Sequence, residues 1–218
     1  MSNASPEPLT ELEYVSRGGL KLEKALNYFN ISPENKVCLD SGASTGGFTD
    51  CLLKRGAKLV YAIDVGYGQL AWSLRNDERV VTMERTNIRY VTPDMLGAKP
   101  ELAVLDLSFI SLGLVLPVIR ELMVDKNEVI CLIKPQFEAG KGKVGKKGVV
   151  RDKETHKEVL DTFIQNAEKS GFVIKDITYS PVKGPKGNIE YLGWLRSYGE
   201  SIQIDTKKIV SESHAELS

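Results

Sequence analysis

Cysteine, histidine and net charge are all scarce in this sequence, and each scarcity removes a class of function. The three cysteines, Cys38, Cys51 and Cys131, are odd in number, far apart and flanked by apolar residues. That excludes a disulfide framework and a thiolate metal centre, and the three read as reduced core thiols. The two histidines, His156 and His214, sit among polar residues, so both are expected at the surface. Neither has a partner at the spacing of a metal set or a nucleophile triad; no metal site is expected, and Ser44 lacks the G-x-S-x-G elbow of a hydrolase. Lysine plus arginine and aspartate plus glutamate both total 29, so there is no global basic excess of the kind that announces nucleic acid, and any such signal has to be local. No apolar run approaches the roughly 18 residues of a membrane helix. There is no secretory signal and no long basic amphipathic segment, which points to a cytoplasmic protein with no membrane partner. The two tryptophans, Trp72 and Trp194, fall in apolar patterns and are expected in the core. No internal repeat is present.

What the sequence does have is 42% hydrophobic residues in 218, enough for one domain with a sizeable core. The first residues, "MSNASPEP", read as an expression remnant leading into a linker, so 1–13 is set apart from the fold. Leu22, Ala25, Leu26 and Phe29 recur at helical spacing and predict a helix over 19–29. "KVCLD", "KLVYAID", "RVVTME", "ELAVLDLS" and "EVICLIK" predict five strands, interleaved with helices over about 47–54 and 69–76 and from a Ser111 cap to about Met123. Residues 135–151 read as a Gly- and Lys-rich loop, and 153–170 as a helix stopped by Gly171. "FVIKDITYSPV" and "IEYLGWLRS" follow as two strands with no helix between them. Near-continuous apolar strands alternating with helices predict an α/β fold with a parallel sheet buried on both faces, to which the final hairpin adds an antiparallel strand. From about 199 to 218 the pattern fades, and a polar, loosely packed tail is expected.

Asp40, Asp64, Asp106 and Lys134 all fall at predicted carboxyl ends of strands, the edge where such sheets bind ligands. In "VCLDSGASTGGFTDCLL", Gly42, Gly46 and Gly47 allow close backbone approach, and the helix that begins at Gly47 offers free N–H groups. Asp64, closing the second strand, can accept hydrogen bonds from both hydroxyls of a ribose. The glycine spacing departs from G-x-G-x-x-G, and a carboxylate at Asp40 suits a cationic ligand end better than a pyrophosphate. S-adenosylmethionine is therefore favoured over NAD.

"YVSRGGLKLEKAL", "DSGASTGGFTDCLL", "VLDLSFIS", "LIKPQFE" and "GNIEYL" together resemble the TlyA family, the hemolysin-named ribosomal RNA methyltransferases related to FtsJ-type ribose 2′-O-methyltransferases. The resemblance spans about 14–196 and implies a Rossmann-like seven-stranded methyltransferase sheet, mostly parallel with one antiparallel strand, over 14–198. It implies a Lys-Asp-Lys-Glu tetrad at Lys21, Asp106, Lys134 and Glu190, with Lys134 as candidate base. It implies cofactor contacts from Asp40, Gly42, Ala43, Ser44, Thr45, Gly46, Gly47, Phe48, Asp64 and Val65. Asn87 stands where related enzymes have an acid near adenine. On its own, Lys21 reads as a solvated helix lysine and Glu190 as an edge-strand charge. Full-length relatives carry a small amino-terminal RNA-binding domain; the resemblance implies that it is not to be expected within this chain and that RNA affinity is weaker.

The implied partner is ribosomal RNA or a ribosomal subunit, with no DNA and a monomeric enzyme. Residues 134–153 carry Lys134, Lys141, Lys143, Lys146, Lys147, Arg151 and Lys153 against Glu138 and Asp152. With Lys183 and Lys186 of "KGPKGN" they are expected to line a basic rim for phosphates. The competing readings are a cofactor-binding RNA module without catalysis, an NAD-linked oxidoreductase and a membrane-lytic hemolysin.

Overall fold

The computed structural model describes residues 13–140 and 142–217; the expected remnant and linker before residue 13 lie outside the described residues, as does Lys141. Seven strands form one sheet: β1 (Val37–Ser41), β2 (Leu59–Ile63), β3 (Val80–Met83), β4 (Leu102–Leu105), β5 (Glu128–Ile133), β6 (Val173–Tyr179) and β7 (Tyr191–Arg196). Their order is β3-β2-β1-β4-β5-β7-β6. β1 to β5 pair in parallel, and β7 runs antiparallel between β5 and β6. The order reverses beside β1, which places the glycine-rich loop at the switch point of the sheet.

Alternating strand residues feed two cores, because a strand's side chains point to opposite faces. Leu102, Val104, Ile130 and Leu132 meet the helices α1 (Gly18–Phe29) and α2 (Gly47–Lys54) on one face. Ala103, Leu105, Val129, Cys131 and Ile133 meet α4 (Leu116–Leu122) and α6 (Lys153–Lys169) on the other. Asp152 caps α6 by accepting from the Thr155 N–H at 2.9 Å. In β7, a Cβ on Gly193 would come within 2.6 Å of the Phe163 ring, so the strand can approach α6 only as glycine.

Several expectations are corrected. The stretch after 198 is no loose tail: α7 (Thr206–Leu217) packs on α6 and β6, burying Thr206, Val210 and Ser213. Its buried positions are mostly hydroxyls that find partners, such as Thr206 Oγ1 donating to Asp161 at 2.8 Å, so hydrophobicity alone does not reveal it. His156 is buried rather than at the surface: Nε2–H donates to the Val150 carbonyl at 3.0 Å and Nδ1 accepts from the Tyr191 hydroxyl at 2.8 Å. The half-buried His214 stacks edge-on against it at 4.8 Å. Trp72 lies 78% exposed at the start of the four-residue helix α3 (Trp72–Arg75). The helix expected from Ser111 is divided: Ser111 caps a 3-10 turn, Leu112–Leu114, before α4 begins. The loop after β5 opens with a short helix, α5 (Pro135–Glu138).

Candidate active site

The glycine-rich loop is built by its own backbone. Gly42 has φ +87°, and a Cβ there would lie 2.3 Å from the Asp106 carbonyl oxygen, so the loop can cross the end of β4 only as glycine. Asp64 takes the Ser44 N–H on Oδ2 at 2.8 Å and the Gly66 N–H on Oδ1 at 2.7 Å. Each oxygen keeps a lone pair for a further donor, as two ribose hydroxyls require. Asp40 lies beneath the loop, wholly buried. Thr49 Oγ1 donates to its Oδ2 at 2.6 Å, while Oδ1 has no hydrogen-bond partner among the described residues. Burial pushes its carboxyl up to about 7, against the opposing Thr49 bond and with the Asp106 charge adding to the rise.

A cavity of about 690 Å³ opens beyond these strand ends. Gly42, Ser44 and Asp64 line it together with Asn87 and the apolar side chains of Val65, Ile88, Ile110 and Leu114. Asn87 Oδ1 caps the next turn by accepting from the Arg89 N–H at 3.0 Å. A smaller cavity of about 220 Å³ adjoins it and is lined by Lys21, Gly42, Ala43, Ser44, Thr45, Gly47, Phe48 and Asp106. Gly46, which ends the loop at the N-cap of α2, and Asp40 line neither space. The chemistry of this donor set suits S-adenosylmethionine: an acceptor pair for the ribose, apolar side chains against which adenine can lie and an unsatisfied buried carboxyl oxygen behind the loop.

The four tetrad positions form two ion pairs. Lys134 Nζ is 2.5 Å from Asp106 Oδ1, although the approach is off the axis of an aligned hydrogen bond, and 3.1 Å from Ser108 Oγ. Lys21 Nζ is 2.6 Å from Glu190 Oε2, and both side chains are buried. The solvated reading of Lys21 and the edge-charge reading of Glu190 are therefore both corrected: β7 is interior to the sheet, and α1 delivers Lys21 onto its amino-terminal end. A third cavity, about 460 Å³, holds Lys134 and Glu190 in its wall together with Gln136, Phe109, Phe137, Val144 and Pro185. Phe109 is 90% exposed with φ +64°, and its ring centroid lies 4.8 Å from that of Phe137.

Ser108, Phe109, Gln136 and Phe137 escaped the reading of the sequence. The available signal was their adjacency to Asp106 and Lys134 in "LDLSFIS" and "KPQFE". Of the expected basic rim, Lys143, Lys146, Lys147 and Arg151 surround one surface hollow, and Lys186 reaches the 460 Å³ cavity. Lys183 lines neither, and Lys143 pairs with Glu158.

A model of the FtsJ-like methyltransferase family matches residues 14–197. The 16S/23S rRNA (cytidine-2′-O)-methyltransferase TlyA of Mycobacterium tuberculosis (strain ATCC 25618 / H37Rv) is 50% identical over 188 residues, covering 86% of this chain and 70% of its own. Hemolysin A of Brachyspira hyodysenteriae is 50% identical over 187 residues, 85% of this chain and 78% of its own. The solved structure of a hemolysin-named protein from Streptococcus thermophilus matches with a TM-score of 0.90 at 48% identity, over 97% of this chain and 77% of that one. Among the described residues no helix is long and apolar enough to cross a membrane.

Proposed function

The chain belongs to the FtsJ-like methyltransferase family, and we propose that it transfers a methyl group from S-adenosylmethionine to the ribose 2′-hydroxyl of a cytidine in ribosomal RNA. The base and the RNA class come from the activity for which the Mycobacterium tuberculosis relative is named. The observation that carries the reading is the Lys134–Asp106 pair, at the junction of the three cavities: Asp106 borders both spaces beside the loop, and Lys134 borders the third.

Bound S-adenosylmethionine supplies an electrophilic methyl on a sulfonium. Asp64 holds its ribose, the side chains of Val65, Asn87 and Leu114 its base, and the loop over Asp40 its amino-acid end. The target ribose enters from the 460 Å³ cavity, where Phe109 and Phe137 offer a stacking surface for an unpaired base. Lys134, as the neutral amine, takes the proton of the attacking 2′-hydroxyl as the methyl group is transferred, and Asp106 then pairs with the ammonium that results. Asp106 holds the Lys134 amine in line, and orientation of this kind is a large term in a two-substrate displacement. Lys143, Lys146, Lys147, Arg151 and Lys186 contact phosphates on either side of the presented nucleotide.

The test is single-turnover transfer of labelled methyl to ribosomal RNA at saturating cofactor. Lys134→Met should lose about 10²–10⁴-fold while cofactor binding, read by calorimetry, is unchanged. Near-normal turnover in that variant removes Lys134 from the chemistry.

A further inference from the structure

Gln136 links α5 to the buried Lys21–Glu190 pair through its side chain. Lys134 is the N-cap residue of α5, and Gln136 stands two residues on, in its first turn. Gln136 Nε2 donates to Glu190 Oε1 at 3.0 Å, while Glu190 Oε2 takes Lys21 Nζ. The amide orientation follows from chemistry, since a carboxylate oxygen facing it can only accept. Glu190 is 1% exposed. A buried carboxylate with one oxygen unpaired is costly, and excellent geometry around a buried ion pair is what keeps it favourable. One side chain thus ties the helix that begins at Lys134 to the other ion pair of the site.

We propose that Gln136 is a positioning residue that locks the two ion pairs into one unit, so that the Lys134 amine is held against the target hydroxyl. The proposal rests on the ribose methyltransferase reading. It assigns Gln136 no contact with the reacting atoms; Gln136 acts through Glu190 and the α5 backbone. Loss of the amide leaves Glu190 Oε1 without a donor and frees α5, and with it Lys134, from its tether to Lys21.

Gln136→Met keeps the length and removes the amide. Its single-turnover rate, measured well below the melting transition, should fall by about 10–100-fold, a misplacement-sized effect, with cofactor and RNA dissociation constants near those of the wild type and a lower thermal midpoint, because Glu190 Oε1 loses its donor. Gln136→Glu gives an independent readout in the pH–rate profile. Its carboxyl can donate to Glu190 only when protonated, so its rate should recover as pH falls, whereas wild-type turnover, which needs a proton acceptor, should decline. A wild-type rate in Gln136→Met beside an inactive Lys134→Met overturns this inference alone, and so does a Gln136→Glu profile parallel to wild type. A loss in Gln136→Met that is matched by weakened RNA or cofactor binding also overturns it. Full turnover in Lys134→Met overturns the underlying reading as well.

Discussion

Replacing Asp40 with asparagine should make stability less dependent on pH, with a sign and size fixed by its burial. The carboxyl is wholly buried at the end of β1 and has one oxygen without a hydrogen-bond partner among the described residues. Burial raises its proton affinity, displacing it from 3.8 to about 7. That displacement is worth about 4 kcal/mol, since each tenfold change in proton affinity is ~1.4 kcal/mol. For an acid whose folded value is raised, the native state holds the proton that the unfolded chain has released. The contribution to stability is therefore complete below about pH 4 and is lost as pH rises through about 7. Between pH 5 and pH 8 the wild type should lose about 3 kcal/mol that Asp40→Asn does not. Urea unfolding of both proteins at the two pH values measures the difference directly. Cofactor titration supplies a second arm: a carboxylate beneath the loop favours a cationic ligand end, so wild-type affinity for S-adenosylmethionine should rise as pH crosses 7 while the variant's stays flat. A stability difference between the two proteins that does not change with pH would refute the reasoning.

Asp64→Ala removes an acceptor that already organises the Ser44 and Gly66 amides, so S-adenosylmethionine binding should weaken by about 1.5–3 kcal/mol in calorimetry. Glutamine at Lys143, Lys146 and Lys147 should lower the log–log salt slope of RNA binding by roughly 0.7–0.9 for each phosphate no longer neutralised, with cofactor affinity unmoved; an unchanged slope would mark the loop as solvated only. Burial holds His156 below its ordinary 6.5 despite the Val150 bond and the Asp152 charge. Protons therefore bind the unfolded chain first as pH falls below about 6.5, and stability is lost with them. In unfolding titrations from pH 7 to pH 5, His156→Gln should lack this acid-side loss.

The strand ends are legible from the pattern of apolar runs because a parallel sheet turns position along the chain into position in space. Each apolar run stops where its backbone leaves the core, so a charged residue at the stop is delivered to the common edge. Asp40, Asp64, Asp106 and Lys134 fall at that edge, and the missing helix between the last two strands marks them as an antiparallel hairpin, but not that β7 inserts between β5 and β6. The burial of His156 is not visible in its neighbours along the chain. Asp152 and Lys157 are polar, but on a helix His156 shares a face with Val159, Leu160, Phe163 and Ala167, all buried. The same limit applies to Trp72: Leu70 and Leu74 turn inward and Trp72, two residues from each, turns out.

Lys21 and Glu190 belong to a different category, and they show where local pattern stops carrying information. They are 169 residues apart and meet only after α1 has docked beside β7. Nothing in "GLKLEK" marks its first lysine as buried, since the helix period places Lys21 beside Leu22 at the margin of the apolar stripe. Only the joint occurrence of the five segments in the family resemblance pointed to it. The physical reason it can be buried is that Glu190 receives a second donor from Gln136, which spares the pair the cost of an unsatisfied oxygen. The pair's acceptability in the core therefore depends on a residue from the segment that carries Lys134. The half of the site that the sheet edge made legible and the half that tertiary docking concealed are held by the same helical turn.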